Sequence, residues 1–164
     1  MNDKAARAVA GSQVEASVLA APIFISHSSK DRAHVLRVCK ALEARGLVCW
    51  MSFRDVSPGD NFQQAIVRAI RAAKVMVLVF TDNANSSREI QKELALASQL
   101  GVTVIPARVE NVDPSEAALV YELSTRQWID LFENWDEGIE RLVLATNIGV
   151  AVSVSPVRSS PASN

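Results

Sequence analysis

The chain has 164 residues, 49% of them hydrophobic, enough for one globular domain with a true core and short for two domains joined by a linker. Lys and Arg number 17 against 18 Asp and Glu, and a formal net charge of -1 offers no electrostatic footprint for nucleic acid. The two cysteines, Cys39 and Cys49, have neither metal nor disulfide-framework spacing, so they read as buried thiols of a protein kept in reducing cytoplasm. No apolar run approaches the roughly 18 residues that span a bilayer, and Asp3, Arg7 and Glu15 interrupt any signal-peptide core, so neither membrane nor export is expected.

Two flanks differ from the middle. Residues 1–21 are small and polar without a clear period, and residues 147–164 form a Ser/Val/Pro tail; both read as flexible arms or linkers around a domain at 22–146. Within the domain, strand-like runs alternate with helical periods, the signature of a parallel α/β sheet. The first strand is Ile23-Phe24-Ile25, after which Ser28, with Asp31 three positions on, caps a helix whose apolar face is Val35, Val38, Cys39 and Leu42, ended by Gly46. Leu47 to Met51 follows as strand two. Ser57-Pro58-Gly59-Asp60 carries proline and glycine where a type II turn needs them, and Asn61 with Gln64 opens a helix lined by Phe62, Ile66, Ala69, Ile70 and Ala73. Val75 to Phe80 is continuously apolar, as a central strand covered on both faces should be. Ser86-Ser87-Arg88-Glu89 fits a capping box for a helix through Ile90, Leu94 and Ala97, and Val102 to Pro106 is strand four. Asp113-Pro114-Ser115-Glu116 opens a short helix to Leu123, Gln127 to Asp130 is strand five, and the last helix runs from Asn134 to about Ala145.

Five βα units predict a doubly wound sheet of order 2-1-3-4-5, whose ligand crevice lies at the carboxyl ends of strands one and three, here Ser26-His27-Ser28 and Thr81-Asp82-Asn83. The six glycines are isolated, so neither a dinucleotide fingerprint nor a phosphate loop is present. A phospho-acceptor receiver would share the topology, but its acidic pair after strand one is replaced by Ser26-His27. His27 and His34 are too few for a zinc site, and G-x-S-x-G is missing, which removes support for a serine nucleophile.

Phe24-Ile25-Ser26-His27-Ser28-Ser29-Lys30-Asp31, then Trp50 with Arg54-Asp55-Val56-Ser57-Pro58-Gly59, then Ser86-Ser87-Arg88 leading to Glu93-Leu94, then Gln127-Trp128, resemble in order and spacing the bacterial branch of the Toll/interleukin receptor (TIR) domain family over residues 22–146. The resemblance implies a flavodoxin-like fold with helices on both sheet faces. It implies one of two functions: a self-assembling NAD+ nucleosidase in immune or cell-suicide signalling, or a non-catalytic TIR interaction module. The family's catalytic glutamate falls on Glu93. His27, Ser28, Ser29, Arg54 and Phe62 match substrate-bordering positions, and Arg54, Asp55, Pro58, Gly59 and Asp60 match the loop that contacts a neighbouring domain. NAD+ is then substrate rather than cofactor, no metal is needed, and the expected partners are further TIR domains. Many catalytic members carry tryptophan four residues before the glutamate; this chain has Glu89. The chemistry is economical, because nicotinamide leaves as a neutral molecule and needs no general acid, so one carboxylate can stabilise the oxocarbenium-like charge at the anomeric carbon.

Overall fold

A computed structural model describes residues 23–154, with side chains through residue 149. The strands are β1 (Ile23–Ser26), β2 (Cys49–Trp50), β3 (Val75–Phe80), β4 (Thr103–Arg108) and β5 (Ile129–Asp130). They form one parallel sheet in the order β2-β1-β3-β4-β5, with Ile23 opposite Val75 and Val75 opposite Thr103. The helices are α1 (Arg32–Glu43), the single turn α2 (Ser52–Asp55), α3 (Phe62–Ala72), α4 (Arg88–Gln99), α5 (Ala117–Leu123) and α6 (Trp135–Val154).

Period-two alternation divides the strands between two cores. Ile23, Ile25, Val75, Val77, Val79 and Ile105 pack beneath α1 and α6, with Val35, Val38 and Leu42 from α1 and Ile139 and Leu142 from α6. Phe24, Met76, Leu78, Phe80 and Val104 face the other way, onto Ile70 of α3, Ile90 and Leu94 of α4, and Leu119 and Leu123 of α5. Both faces of β3 are fully buried, which explains its unbroken apolar run. Cys39 and Cys49 are free and buried where α1 meets β2, and the Cys49 contact together with burial pushes the Cys39 thiol up. Trp50 stacks on Phe24 at 5.3 Å and Trp128 meets Phe80 edge-on at 5.2 Å, so both act in packing.

The turn before α3 forms as its residue types require. Gly59 sits at φ +86°, the Asp60 N–H donates to the Ser57 carbonyl at 3.1 Å, and Asn61 Oδ1 accepts from the Gln64 N–H at 2.9 Å. Four expectations need correction. Phe62 does not join the buried face of α3: it is 52% exposed, because the first turn of the helix is exposed throughout and packing begins at Ala65. The cap of α4 is Ser87, which accepts from the Ile90 N–H, while Ser86 donates to the Asn83 carbonyl; Glu89 therefore closes no capping box. α5 starts at Ala117 rather than at Pro114, because Arg108 binds the Asp113 carboxylate at 2.7 Å and Asn85 accepts the Ser115 N–H. α6 continues to Val154, through residues assigned to the tail. Gly149 permits this close approach, since a Cβ there would stand 2.8 Å from the Val75 side chain. Residues 1–22, with the N-terminal arm assigned to 1–21, and residues 155–164 lie outside the described residues.

Candidate functional site

Alternation places Ser26, the last residue of β1, on the same sheet face as Phe24, beneath α3 and α4. On α4, Ile90, Leu94 and Ala97 form the ridge that packs on the sheet, and Glu93 lies beside that ridge toward α3. The two meet at the carboxyl edge of the sheet. Ser26 Oγ, wholly buried, donates to Glu93 Oε2 at 2.7 Å. Burial pushes the Glu93 carboxyl up to about 7; the Ser26 hydrogen bond pulls it down and the negative charge of Glu89 adds to the rise. This carboxyl therefore holds its proton more readily than an ordinary solvated glutamate.

Glu93 opens into a cavity of about 190 Å³ between α3 and α4. Its walls are apolar on the α3 side, with Ile66, Val67 and Ile70 beside Gln63, and its rim on α4 carries Glu89 and Lys92. Glu89 is 67% exposed and its carboxylate lies 3.7 Å from Lys92 Nζ, an i,i+3 pair on the open helix surface. Such a pair contributes a few tenths of a kcal/mol at most.

The remaining predicted site residues are not among those that line the Glu93 cavity. Half-buried His27 turns toward α2: its ring meets Phe53 edge-on at 5.3 Å, Nδ1 is 2.8 Å from the Ser28 carbonyl, and desolvation lowers its pKa. Ser28 is buried and caps the turn Ser29–Asp31 through the Lys30 N–H, while Ser29 is exposed. Arg54 is spent on structure, donating to Glu43 at 2.7 Å, to the Cys49 carbonyl at 2.8 Å and to Asp55. Asp55 in turn accepts the Met51 N–H at 2.8 Å, so Arg54, which is exposed, and Asp55 belong to the α2 turn, followed by the exposed tip Ser57, Pro58, Gly59 and Asp60. Phe62 and Gln63 stand between that loop and the Glu93 cavity in sequence, and Gln63 lines it.

Two residues escaped the sequence reading. Ser26 was visible only as part of the strand-end loop, although period two from Phe24 carries it to the α4 side. Asp31, 3% exposed, accepts from Thr81 Oγ1 at 2.5 Å and from Asn83 Nδ2 at 2.8 Å, locking the loop after β1 to the loop after β3 across the winding reversal. Its spacing after Ser28 suggested a capping role, and no local pattern reveals partners some fifty positions away.

The family model for the TIR domain matches residues 23–143. The chain belongs to the TIR-domain family. The stimulator of interferon genes protein of Magallana gigas is 25% identical over 130 residues, 73% of this chain, and this chain spans 30% of that protein's length. Among solved structures, the TIR domain of the Toll-related receptor TRR-2 from Hydra magnipapillata superposes with a TM-score of 0.59 at 22% identity, covering 77% of this chain and 93% of that one. The TIR-STING receptor from C. gigas, solved with 2',3'-cGAMP, gives 0.58 at 23% identity over 82% of this chain and 40% of its own. The TIR domains of the activated Roq1 resistosome give 0.51 at 21% identity, covering 77% and 84%. These likenesses establish the flavodoxin-like TIR fold. No helix among the described residues of this TIR domain is long and apolar enough to cross a membrane.

Proposed function

We propose that this TIR domain is an NAD+ nucleosidase of immune or cell-suicide signalling, active when copies assemble in the cytoplasm. The observation that carries the reading is Glu93, a carboxyl held at the ligand-binding edge of a doubly wound sheet by a buried serine and raised to about 7 by its surroundings. In the ionised form it stabilises positive charge as the bond between the ribose anomeric carbon and the nicotinamide nitrogen breaks. The bonding electrons leave with neutral nicotinamide, and water adds to the ribosyl cation and loses its proton to give ADP-ribose. An internal nucleophile on the same molecule gives a cyclic isomer instead.

The size of the site supports the requirement for assembly. A cavity of about 190 Å³ is below the roughly 300–1,000 Å³ usual for small-molecule sites, so one domain encloses too little of a dinucleotide. The exposed Ser57–Asp60 tip and exposed Phe62 adjoin this cavity in sequence and offer the surface on which a second domain can complete it. The test is release of free nicotinamide from NAD+ by concentrated protein, read by chromatography beside Glu93→Gln. Turnover in the variant is expected to fall by roughly 10²–10³-fold, the usual loss of an electrostatic stabiliser. Equal turnover in both proteins removes Glu93 from the mechanism. No nicotinamide from either, in protein shown to be assembled, leaves the interaction-module reading.

A further inference from the structure

Ser26 is more than a packing residue at a strand end. It is wholly buried on the face of β1 directed at α4, and its hydroxyl donates to Oε2 of Glu93 at 2.7 Å across 67 positions of sequence. A buried hydroxyl is costly without a partner, and Glu93 is the partner that the fold supplies. We propose that Ser26 is the positioning residue of the Glu93 site: it fixes the carboxylate plane through Oε2, leaves Oε1 to substrate, and favours the ionised form. This rests on the nucleosidase reading above.

Three features support the assignment. Ser26 lies on the regular strand, in register with Leu78 of β3, so its Oγ is held by sheet geometry rather than by a mobile loop. The other walls of the cavity offer Glu93 no competing donor from a charged group: α3 contributes Gln63, Ile66, Val67 and Ile70, and on α4 Lys92 lies against Glu89. His27, the titratable group that directly follows Ser26 in sequence, is turned to Phe53. A hydrogen bond to a charged acceptor contributes more than one between neutral groups, and it acts chiefly on the carboxylate, which serine can serve only as donor.

Ser26→Ala removes the donor with the least change in volume, and Ser26→Thr restores it. From the usual strength of a hydrogen bond to a charged group, kcat in Ser26→Ala should fall by roughly 10–100-fold with KM within about twofold. The acidic limb of the pH–rate profile should move from near pH 7 to about pH 8 or above, and Ser26→Thr should recover most of both. Adding Ser26→Ala to Glu93→Gln should cost little further rate, because the serine acts through the carboxylate. Full additivity, an unmoved pH limb, or Ser26→Thr no better than Ser26→Ala would each assign Ser26 a merely structural role and overturn the proposal. A readout without NAD+ separates this from failure of the nucleosidase reading. The pH dependence of unfolding should shift upward in Ser26→Ala whether or not nicotinamide is ever released, and an unchanged dependence contradicts the proposal.

Discussion

Replacing Glu93 by glutamine should make the domain more stable at alkaline pH while disabling it. In the folded chain burial pushes the carboxyl up to about 7, against 4.5 for the same group in the unfolded chain, so the native state holds this proton more tightly. The stability linked to the protonated form is complete below pH 4.5, falls as the pH rises from there, and is lost once the pH exceeds about 7. The gap corresponds to about 3 kcal/mol against the ionised native state, an upper value because the cavity opens to solvent. The substituted glutamine has no proton to lose, and its amide oxygen still accepts from Ser26. Urea unfolding of both proteins at pH 5 and pH 8 isolates the effect, because every other titrating group is common to the two. The variant should gain roughly 2–3 kcal/mol relative to wild type between the two pH values. A stability difference that does not change with pH would mean that Glu93 is an ordinary solvated glutamate, and the site would lose its distinguishing feature.

Three other perturbations bear on parts of the account. Pro58→Asp with Gly59→Val should abolish assembly and NAD+ cleavage together while circular dichroism stays native, because Gly59 has φ +86° and no atom within 4 Å of a Cβ, so the strain is confined to an exposed tip. Retained cleavage would show that a lone domain holds a complete site. Asp31→Ala should lower stability by about 2–4 kcal/mol in denaturant titration, since it leaves the donors of Thr81 and Asn83 without their acceptor; a loss under about 0.5 kcal/mol would show that the two loops are joined some other way. Gly138→Ala should lower stability by about 1–3 kcal/mol, because its Cβ would stand 2.7 Å from the Asp130 carbonyl oxygen, and an unchanged Tm would contradict that packing.

Local chemistry was legible wherever a few neighbouring residues decide the outcome. The glycine of the Ser57–Asp60 turn, the Asn61 cap and the continuous apolar run of β3 all form as their sequence dictates. Side chains claimed by distant partners were not legible. Asp113 could cap a helix, but Arg108 takes it, and Asp31 could have joined a local cap but bridges to the loop after β3 instead. α2 is one turn long, too short for any period to show, and Phe62 has the right phase for a core position but lies where the helix overhangs its packing. The site divides the same way. Glu93 was indicated by motif resemblance alone, whereas its raised pKa and the Ser26 hydrogen bond exist only once β1 and α4 are side by side.

The central claim is that Glu93 cleaves NAD+ in an assembled TIR domain, and it is tested most directly by nicotinamide release across a protein concentration series. The rate per protein molecule should rise with concentration as domains associate and collapse at every concentration in Glu93→Gln. Absence of nicotinamide from fully assembled wild-type protein, or a rate per molecule independent of both concentration and Glu93, would contradict it.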